Sequence, residues 1–170
     1  MYALLTTALA FAGAAVAAPV VEERQTHKFG LHATEKLAGW ALKNAHVDAG
    51  RNVIQIQRPS VYSSDPSYLN GTHLYFDLGT TPPYGVVIPD VPAGNVGQVF
   101  TQPGEKSEGF GVGPGFKEGD APLLLFSNVS AGFWACPVND VFELFYGINA
   151  QPTKLPSKDC QSIELSVNAL

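Results

Sequence analysis

Cysteine is the residue type in this chain whose number and spacing most restrict the possible chemistry. There are two cysteines, Cys136 and Cys160, and such a pair could form a disulfide, contribute to a metal site or supply a thiol nucleophile. No C-x-x-C or Cys/His spacing typical of zinc is present. A reactive thiol needs a neighbouring base, whereas the sequence around Cys136 offers acids. The choice therefore depends on the compartment in which the protein resides.

The N-terminus predicts export from the cell. Residues 1–18 form an apolar run without a charged side chain and end in small residues around Ala17. This is the pattern of a secretory signal peptide with an A-x-A cleavage site, and the run is short for a membrane anchor. Residues 19–24 are predicted to be a short propeptide or tail, and processing after Arg24 would expose Gln25. The mature chain is then residues 25–170, a single domain in which no segment is predicted to span a membrane.

Export resolves the question of the cysteines. In an oxidising compartment two cysteines predict one disulfide, so we expect a Cys136–Cys160 bond. Chain-entropy arithmetic for the loop of about 25 residues that this bond would close gives a stabilisation of roughly 3–4 kcal/mol. Export also makes the Asn-X-Ser/Thr sites at Asn70 and Asn128 candidates for N-glycosylation, which would require that both loops face solvent.

The other polar residues give weak signals for catalysis. The sequence contains no G-x-S-x-G motif, which would indicate a serine hydrolase. With 15 Asp and Glu residues in the chain, pairs of carboxylates suited to sugar hydrolysis are expected by chance. Asp140 and Glu143 are predicted to lie on the solvent face of a strand. The spacing of the histidines fits no zinc site. The histidines are His27, His32, His46 and His73. We therefore predict a non-enzymatic protein with no catalytic residues, no metal and no cofactor, and a cryptic glycosidase is the least favoured function.

Aromatic residues in the middle third of the chain are candidates for sugar contact. They are interleaved with prolines, and aromatic ring faces can stack on sugar rings, although core packing is their commoner use. The tyrosines concerned are Tyr62, Tyr68, Tyr75 and Tyr84. A secreted carbohydrate-binding or effector-type module is therefore the alternative function. Its partners would be cell-wall polysaccharide or surface proteins.

Charge and composition restrict the partners further. The net charge is −5 and the 10 Lys and Arg residues form no cluster, so no nucleic-acid partner is expected. The glycine-rich run at 109–116 is predicted to be a loop, because Pro114 and the lack of a following helix deny it the geometry of a phosphate site.

Many short strands must position these residues. Apolar runs of four to eight residues, several of them alternating with polar residues, are separated by Gly, Pro or Asn along the whole chain. Residues 34–44 favour strand–turn–strand over a helix. The other predicted strands are 26–32, 52–57, 73–78, 85–88, 96–101, 123–126, 133–136, 141–146 and 161–167. The predicted fold is a mostly β, single-domain antiparallel β-sandwich or small β-barrel.

Several short motifs, in order, resemble the small secreted fungal cell wall proteins of the PhiA-like group, some of which are described as IgE-binding. The motifs are Phe29–Ala33, Phe100–Gln102, Gly132–Pro137 followed by Val141-Phe142, and Asp159-Cys160. The resemblance implies an extracellular or wall-associated fungal protein without catalytic residues. The expected function is thus that of a non-enzymatic, secreted structural or cell-surface protein, disulfide-bonded and N-glycosylated.

Overall fold

The computed structural model describes residues 27–48, 50–58, 63–115 and 117–170. The predicted signal peptide, the propeptide and Tyr62 lie outside the described residues. Within these ranges the chain forms fourteen β-strands and two short 3₁₀ helices, Glu35–Leu37 and Pro152–Lys154. The strands are β1 (Phe29–Ala33), β2 (Ala41–Asp48), β3 (Arg51–Gln57), β4 (Ser67–Asn70), β5 (His73–Phe76), β6 (Tyr84–Val87), β7 (Gly97–Gln98), β8 (Phe100–Pro103), β9 (Phe110–Gly113), β10 (Leu123–Phe126), β11 (Phe133–Val138), β12 (Val141–Tyr146), β13 (Gln161–Ile163) and β14 (Leu165–Ala169).

Twelve of the fourteen strands fall into three successive units that share one plan, and the short strands β7 and β13 pair with β12 and β11 respectively. Each unit consists of a first strand, a pair of antiparallel strands and a last strand: β1, β2–β3, β4; then β5, β6–β8, β9; then β10, β11–β12, β14. The first and last strands of the units join as a closed antiparallel ring, in the order β1, β4, β5, β9, β10, β14. The β5–β9 link is a bridge from His73 to Glu108, where the carbonyl of Thr72 accepts hydrogen bonds from two following amides of the partner segment.

The strand pairs of the three units meet at one end of the ring. β3 pairs with β8 and with β12, so the pair from the first unit is hydrogen-bonded to the pairs from the other two. A six-stranded ring covered at one end by three hairpin-like pairs is the arrangement of a β-trefoil. The predicted mostly β fold with antiparallel strands closed as a small barrel is confirmed.

Equivalent apolar positions of the three units fill the interior. The inward side chains are buried and meet on the axis of the ring, where the remaining cavity is about 10 Å³. A cavity of that size holds at most about one water-sized sphere. A ligand larger than a water molecule therefore has no room in this interior and would bind at the surface. The inward side chains are Leu31, Leu42 and Ile54 in the first unit, Leu74, Val86 and Val99 in the second, and Leu124, Phe133 and Leu144 in the third.

Three segments refine the sequence-based expectations. The glycine-rich run was predicted to be a loop, which is wrong for Phe110–Gly113: this segment is strand β9 and pairs with β10 along its whole length. The last predicted strand is interrupted at Glu164, whose backbone bonds to Thr34 and so leaves the ladder. For residues 34–44 the prediction of strand–turn–strand is wrong in its first half, which is the 3₁₀ helix Glu35–Leu37, and right in its second, which is the start of β2. None of the helices in the described ranges has the length and apolar character needed to cross a bilayer.

Candidate functional site

The two cysteines form a disulfide, as predicted. The Sγ atoms of Cys136 and Cys160 are 2.11 Å apart, and Cys136 is fully buried in β11. Cys160 directly precedes β13, which pairs with β11 opposite Ala135. The bond therefore holds the short strand β13, and the long connection before it, against the last hairpin.

The two predicted glycosylation sites lie in tight, exposed turns. Asn70 closes the β4–β5 hairpin opposite His73, and its side chain is exposed. Asn128 is exposed in the turn after β10, with φ of 65°. Asparagine tolerates the left-handed region better than most residues, which accounts for its place in that turn. Both side chains could carry a glycan without burial of the sugar, and the modification itself stays a prediction.

The structure brings two of the predicted sugar-contacting tyrosines together and separates the third. Tyr68 and Tyr75 stand opposite each other on β4 and β5, with ring centroids 5.2 Å apart in a stacked arrangement. Tyr75 is buried, and Lys106 lies over its ring, so Tyr68 is the more accessible of the pair. Tyr84 pairs with Phe76, and adjacent strand residues face opposite ways, so it belongs to the other face of the sheet. Sugar contact stays a prediction, and it would rest on Tyr68 and Tyr84.

Three of the histidines each make a local polar contact. Burial lowers the pKa of His32. Across the described ranges, no group of three or more His, Cys, Asp or Glu side chains is placed to hold a metal ion. The contacts are His32 Nδ1 to Asn168 Nδ2 at 2.9 Å, His46 Nδ1 to Asn52 Oδ1 at 3.1 Å, and His73 Nδ1 to the Ser107 carbonyl at 3.2 Å.

Glu143 does not lie on a solvent face, and that prediction is wrong. The side chain is only 7% exposed, because β12 has strands paired along both of its edges. Burial raises the pKa of the Glu143 carboxyl, and a hydrogen bond from the Gln98 side-chain amide partly opposes that rise. Asp140, in the preceding turn, is exposed as predicted.

Replacement of Glu143 by Gln is expected to stabilise the protein at neutral pH. Because folding raises the pKa of this carboxyl, its contribution to stability is fully present below the unfolded-state pKa and is lost as the pH rises through the folded-state pKa. The Glu143→Gln variant keeps the acceptor for Gln98 and removes the charge. We expect its melting temperature to exceed that of the wild type by about 3 °C at pH 7, a shift equivalent to about 1 kcal/mol. At pH 4 the difference should vanish.

Calorimetry at the two pH values measures this difference. Glu118→Gln is the matched control. Glu118 is exposed, so its charge is solvated and its removal should change the melting temperature little at either pH. An equal gain at pH 4 and pH 7 for the Glu143 variant would show that the buried charge is not the cause.

A groove of about 500 Å³ lies between two loops, and we call it the loop groove. One wall comes from the connection between β6 and β7, and the other from the turn after β12. The walls are close because Gly147 packs against the backbone of Asn95: a Cβ at Gly147 would lie 2.1 Å from the Asn95 carbonyl oxygen. The lining residues are Ile88, Pro89, Asp90, Val91, Pro92, Ala93, Asn95, Phe126, Tyr146, Gly147, Ile148 and Asn149.

The chemistry of the loop groove is mainly apolar, with a few polar groups. Tyr146 packs edge-on against Phe126 and Phe133, with centroid distances of 5.1 Å to each ring. Its hydroxyl is buried and has no hydrogen-bond partner among the described residues. Burial raises the pKa of this phenol, so at neutral pH it is a hydrogen-bond donor and not a charge. Asp90 supplies an exposed carboxylate at the groove.

A second groove, of about 350 Å³, is built around Trp40. The ring of Trp40 meets Phe142 edge-on at 5.8 Å, and the Arg58 guanidinium carbon lies 5.3 Å from the Trp40 ring centroid. Asp140 and Gln57 add polar groups to the walls. We call this the Trp40 groove. Both rings are half-buried, which leaves part of each in contact with solvent.

Sequence reasoning identified neither groove. The signal available for the loop groove was the segment Ile88–Pro92, in which two prolines restrict the backbone within a connection between strands. That signal indicates a rigid loop but says nothing of the turn at 147–149 that faces it.

Comparison with known proteins gives a fold and a family. No curated protein matches the sequence. A solved structure of type II water-soluble chlorophyll-binding proteins has a TM-score of 0.52 and 11% identity, covering 85% of this chain and 91% of the other. At that identity the likeness shows the fold alone. Residues 25–169 match a family model described as a domain of unknown function, DUF7907. Since the match spans most of the sequence, the chain belongs to the DUF7907 family.

Proposed function

We propose that the protein is a secreted, non-enzymatic structural or cell-surface protein of a fungus, located in the wall or the extracellular space. The observation that carries the proposal is the Cys136–Cys160 disulfide. Disulfides of this structural kind persist in oxidising compartments and are rare in the reducing cytosol. A buried disulfide that closes a connection to the last strands therefore favours export.

Four further observations support the proposal. Asn70 and Asn128 are exposed in turns, where a glycan can be accommodated. The family match begins at residue 25, the residue predicted to follow the propeptide. The structurally similar protein is named as a binding protein, which is consistent with a non-catalytic use of this fold. The resemblance of the motifs to fungal wall proteins supports the location.

Expression of the full chain in a filamentous fungal host, beside a chain lacking residues 1–18, tests the proposal. Medium, wall extract and cytosol are then probed for the protein. We expect the full chain in the medium or the wall and the shortened chain in the cytosol, because the apolar leader directs export. Retention of the full, uncleaved chain in the cytosol would overturn the proposal.

Binding of wall polysaccharide is the second candidate function. The Trp40 groove favours it, because it combines two partly accessible aromatic rings with carboxylate, amide and guanidinium groups, the side chains that stack on sugars and bond to their hydroxyls. The exported protein, applied to insoluble chitin and β-glucan, separates the candidates. Retention that is lost in Trp40→Ala would establish polysaccharide binding at this groove, and no retention would remove it.

A further inference from the structure

We infer that the loop groove is a binding site for a small, neutral, largely apolar molecule that contains a flat ring. The inference does not depend on where the protein resides, so it can fail or succeed separately from the proposed function. It rests on the size of the groove, its exposed apolar wall, a buried hydroxyl without a partner, and the sign of its charge.

The size of the groove fits a small molecule. A volume of about 500 Å³ falls within the range of sites that bury most of a drug-sized ligand, and such sites are lined by apolar side chains with a few polar groups. The interior of the barrel is filled. A ligand of this kind therefore has its place between the loops and not on the axis of the ring.

The apolar wall includes a large side chain that lies half in water. Ile148 is 49% exposed in the turn after β12. Across the groove the facing wall carries Ile88, Pro89 and Val91, which are partly buried. A flat ring placed between these walls would remove apolar surface on both sides from water, and that removal is the main source of affinity in sites of this type.

Tyr146 supplies the polar group that would orient the ligand. A buried tyrosine hydroxyl normally finds a hydrogen-bond partner, and this one has none among the described residues. Its ring tip lies beside Ile148: a Cβ built on Gly132 would be 2.9 Å from Tyr146 Cε2 and 3.4 Å from Ile148 Cγ1. Tyr146 and Ile148 both line the loop groove, so an acceptor or a π-face of a ligand seated there could receive the hydrogen bond of this hydroxyl after a local movement of the side chains around it.

The charge of the groove selects against anions. The carboxylate of Asp90 is part of the groove lining. None of the described residues that line the groove is a Lys or an Arg. The side-chain amides of Asn95 and Asn149 can donate or accept hydrogen bonds, so they can bind the polar groups of a neutral molecule. An anionic ring system would meet repulsion from Asp90 without a compensating cation.

Fluorescence titration with two related dyes tests the inference. N-phenyl-1-naphthylamine is neutral, and 8-anilinonaphthalene-1-sulfonate has the same ring system with an added sulfonate. We expect saturable binding of one neutral dye per chain, and at least tenfold weaker binding of the sulfonated dye. Asp90→Asn should reduce that difference, because it removes the repelling charge.

A pair of surface variants tests whether the dye binds in the loop groove. Ile148→Asn should weaken binding of the neutral dye about fivefold, because it replaces the apolar surface that Ile148 offers to the dye with a polar amide. Val112→Asn is the matched control, because Val112 is 45% exposed and lies on β9, outside the groove lining. Thermal unfolding of both variants confirms that they are folded. The inference is overturned if the neutral dye does not saturate, if both variants bind it equally, or if the two dyes bind alike.

Discussion

Loss of the Cys136–Cys160 disulfide is expected to lower the free energy of unfolding by about 3.5 kcal/mol, and the melting temperature by about 10 °C. The bonded residues are 24 positions apart, so the bond removes the entropy of a medium-sized loop from the unfolded chain. In the folded chain the connection from β12 to β13 contains one short 3₁₀ helix, and β13 itself has three residues. Without the disulfide, this region depends on the pairing of β13 with β11.

Denaturant unfolding with and without a reducing agent measures the effect, and Cys136→Ala/Cys160→Ala is the companion variant. Because Cys136 is fully buried, the double variant also loses packing, and its own stability should be slightly lower than that of the reduced wild type. The variant should be indifferent to the reducing agent. A wild type whose unfolding midpoint is unchanged by reduction would contradict a stabilising role for the bond.

Gly147→Ala is expected to destabilise the fold by about 2–3 kcal/mol, as overpacking against immobile atoms does. The added Cβ would lie 2.1 Å from the Asn95 carbonyl oxygen and 3.0 Å from Val96 Cα, and backbone atoms cannot move aside as the end of a flexible side chain can. The loop that forms one wall of the loop groove would have to move away from the turn at 147–149.

Gly111→Ala is the matched control for this prediction. A Cβ at Gly111, on β9, meets no atom within 4 Å. Replacement of a glycine by alanine at a compatible position reduces the entropy of the unfolded chain, so this variant should be as stable as the wild type or slightly more so. Equal unfolding midpoints for the two variants in urea would show that the loop at Asn95 does not pack closely against Gly147.

Local sequence patterns predict the strands better than their arrangement. Leu123–Phe126 and Val141–Tyr146 have the predicted bounds, because each is a continuous apolar or aromatic run between turn residues. Ser67–Asn70 was not predicted, because it is short, half polar and preceded by a proline. The ring itself depends on pairings such as Phe29 with Ala169, which join the two ends of the described chain and have no local signal.

The candidate sites show the same division. The disulfide follows from two cysteines and a predicted compartment, which are properties of composition. The burial of Glu143 could not be predicted, since it comes from Gln98 and the strands on both edges of β12, all distant in sequence except β11. The loop groove joins two connections from two different units of the fold, so its lining appears only once the trefoil is assembled.

Export is the central claim, and peptide mass spectrometry without reduction, on the protein recovered from the fungal host, tests it most directly. The account predicts an N-terminus at Gln25, with the glutamine cyclised, together with a linked pair of peptides that contain Cys136 and Cys160. It also predicts hexose-bearing glycans on Asn70 and Asn128. Recovery of an intact chain that still begins at Met1, with both thiols free and both asparagines unmodified, would contradict the account.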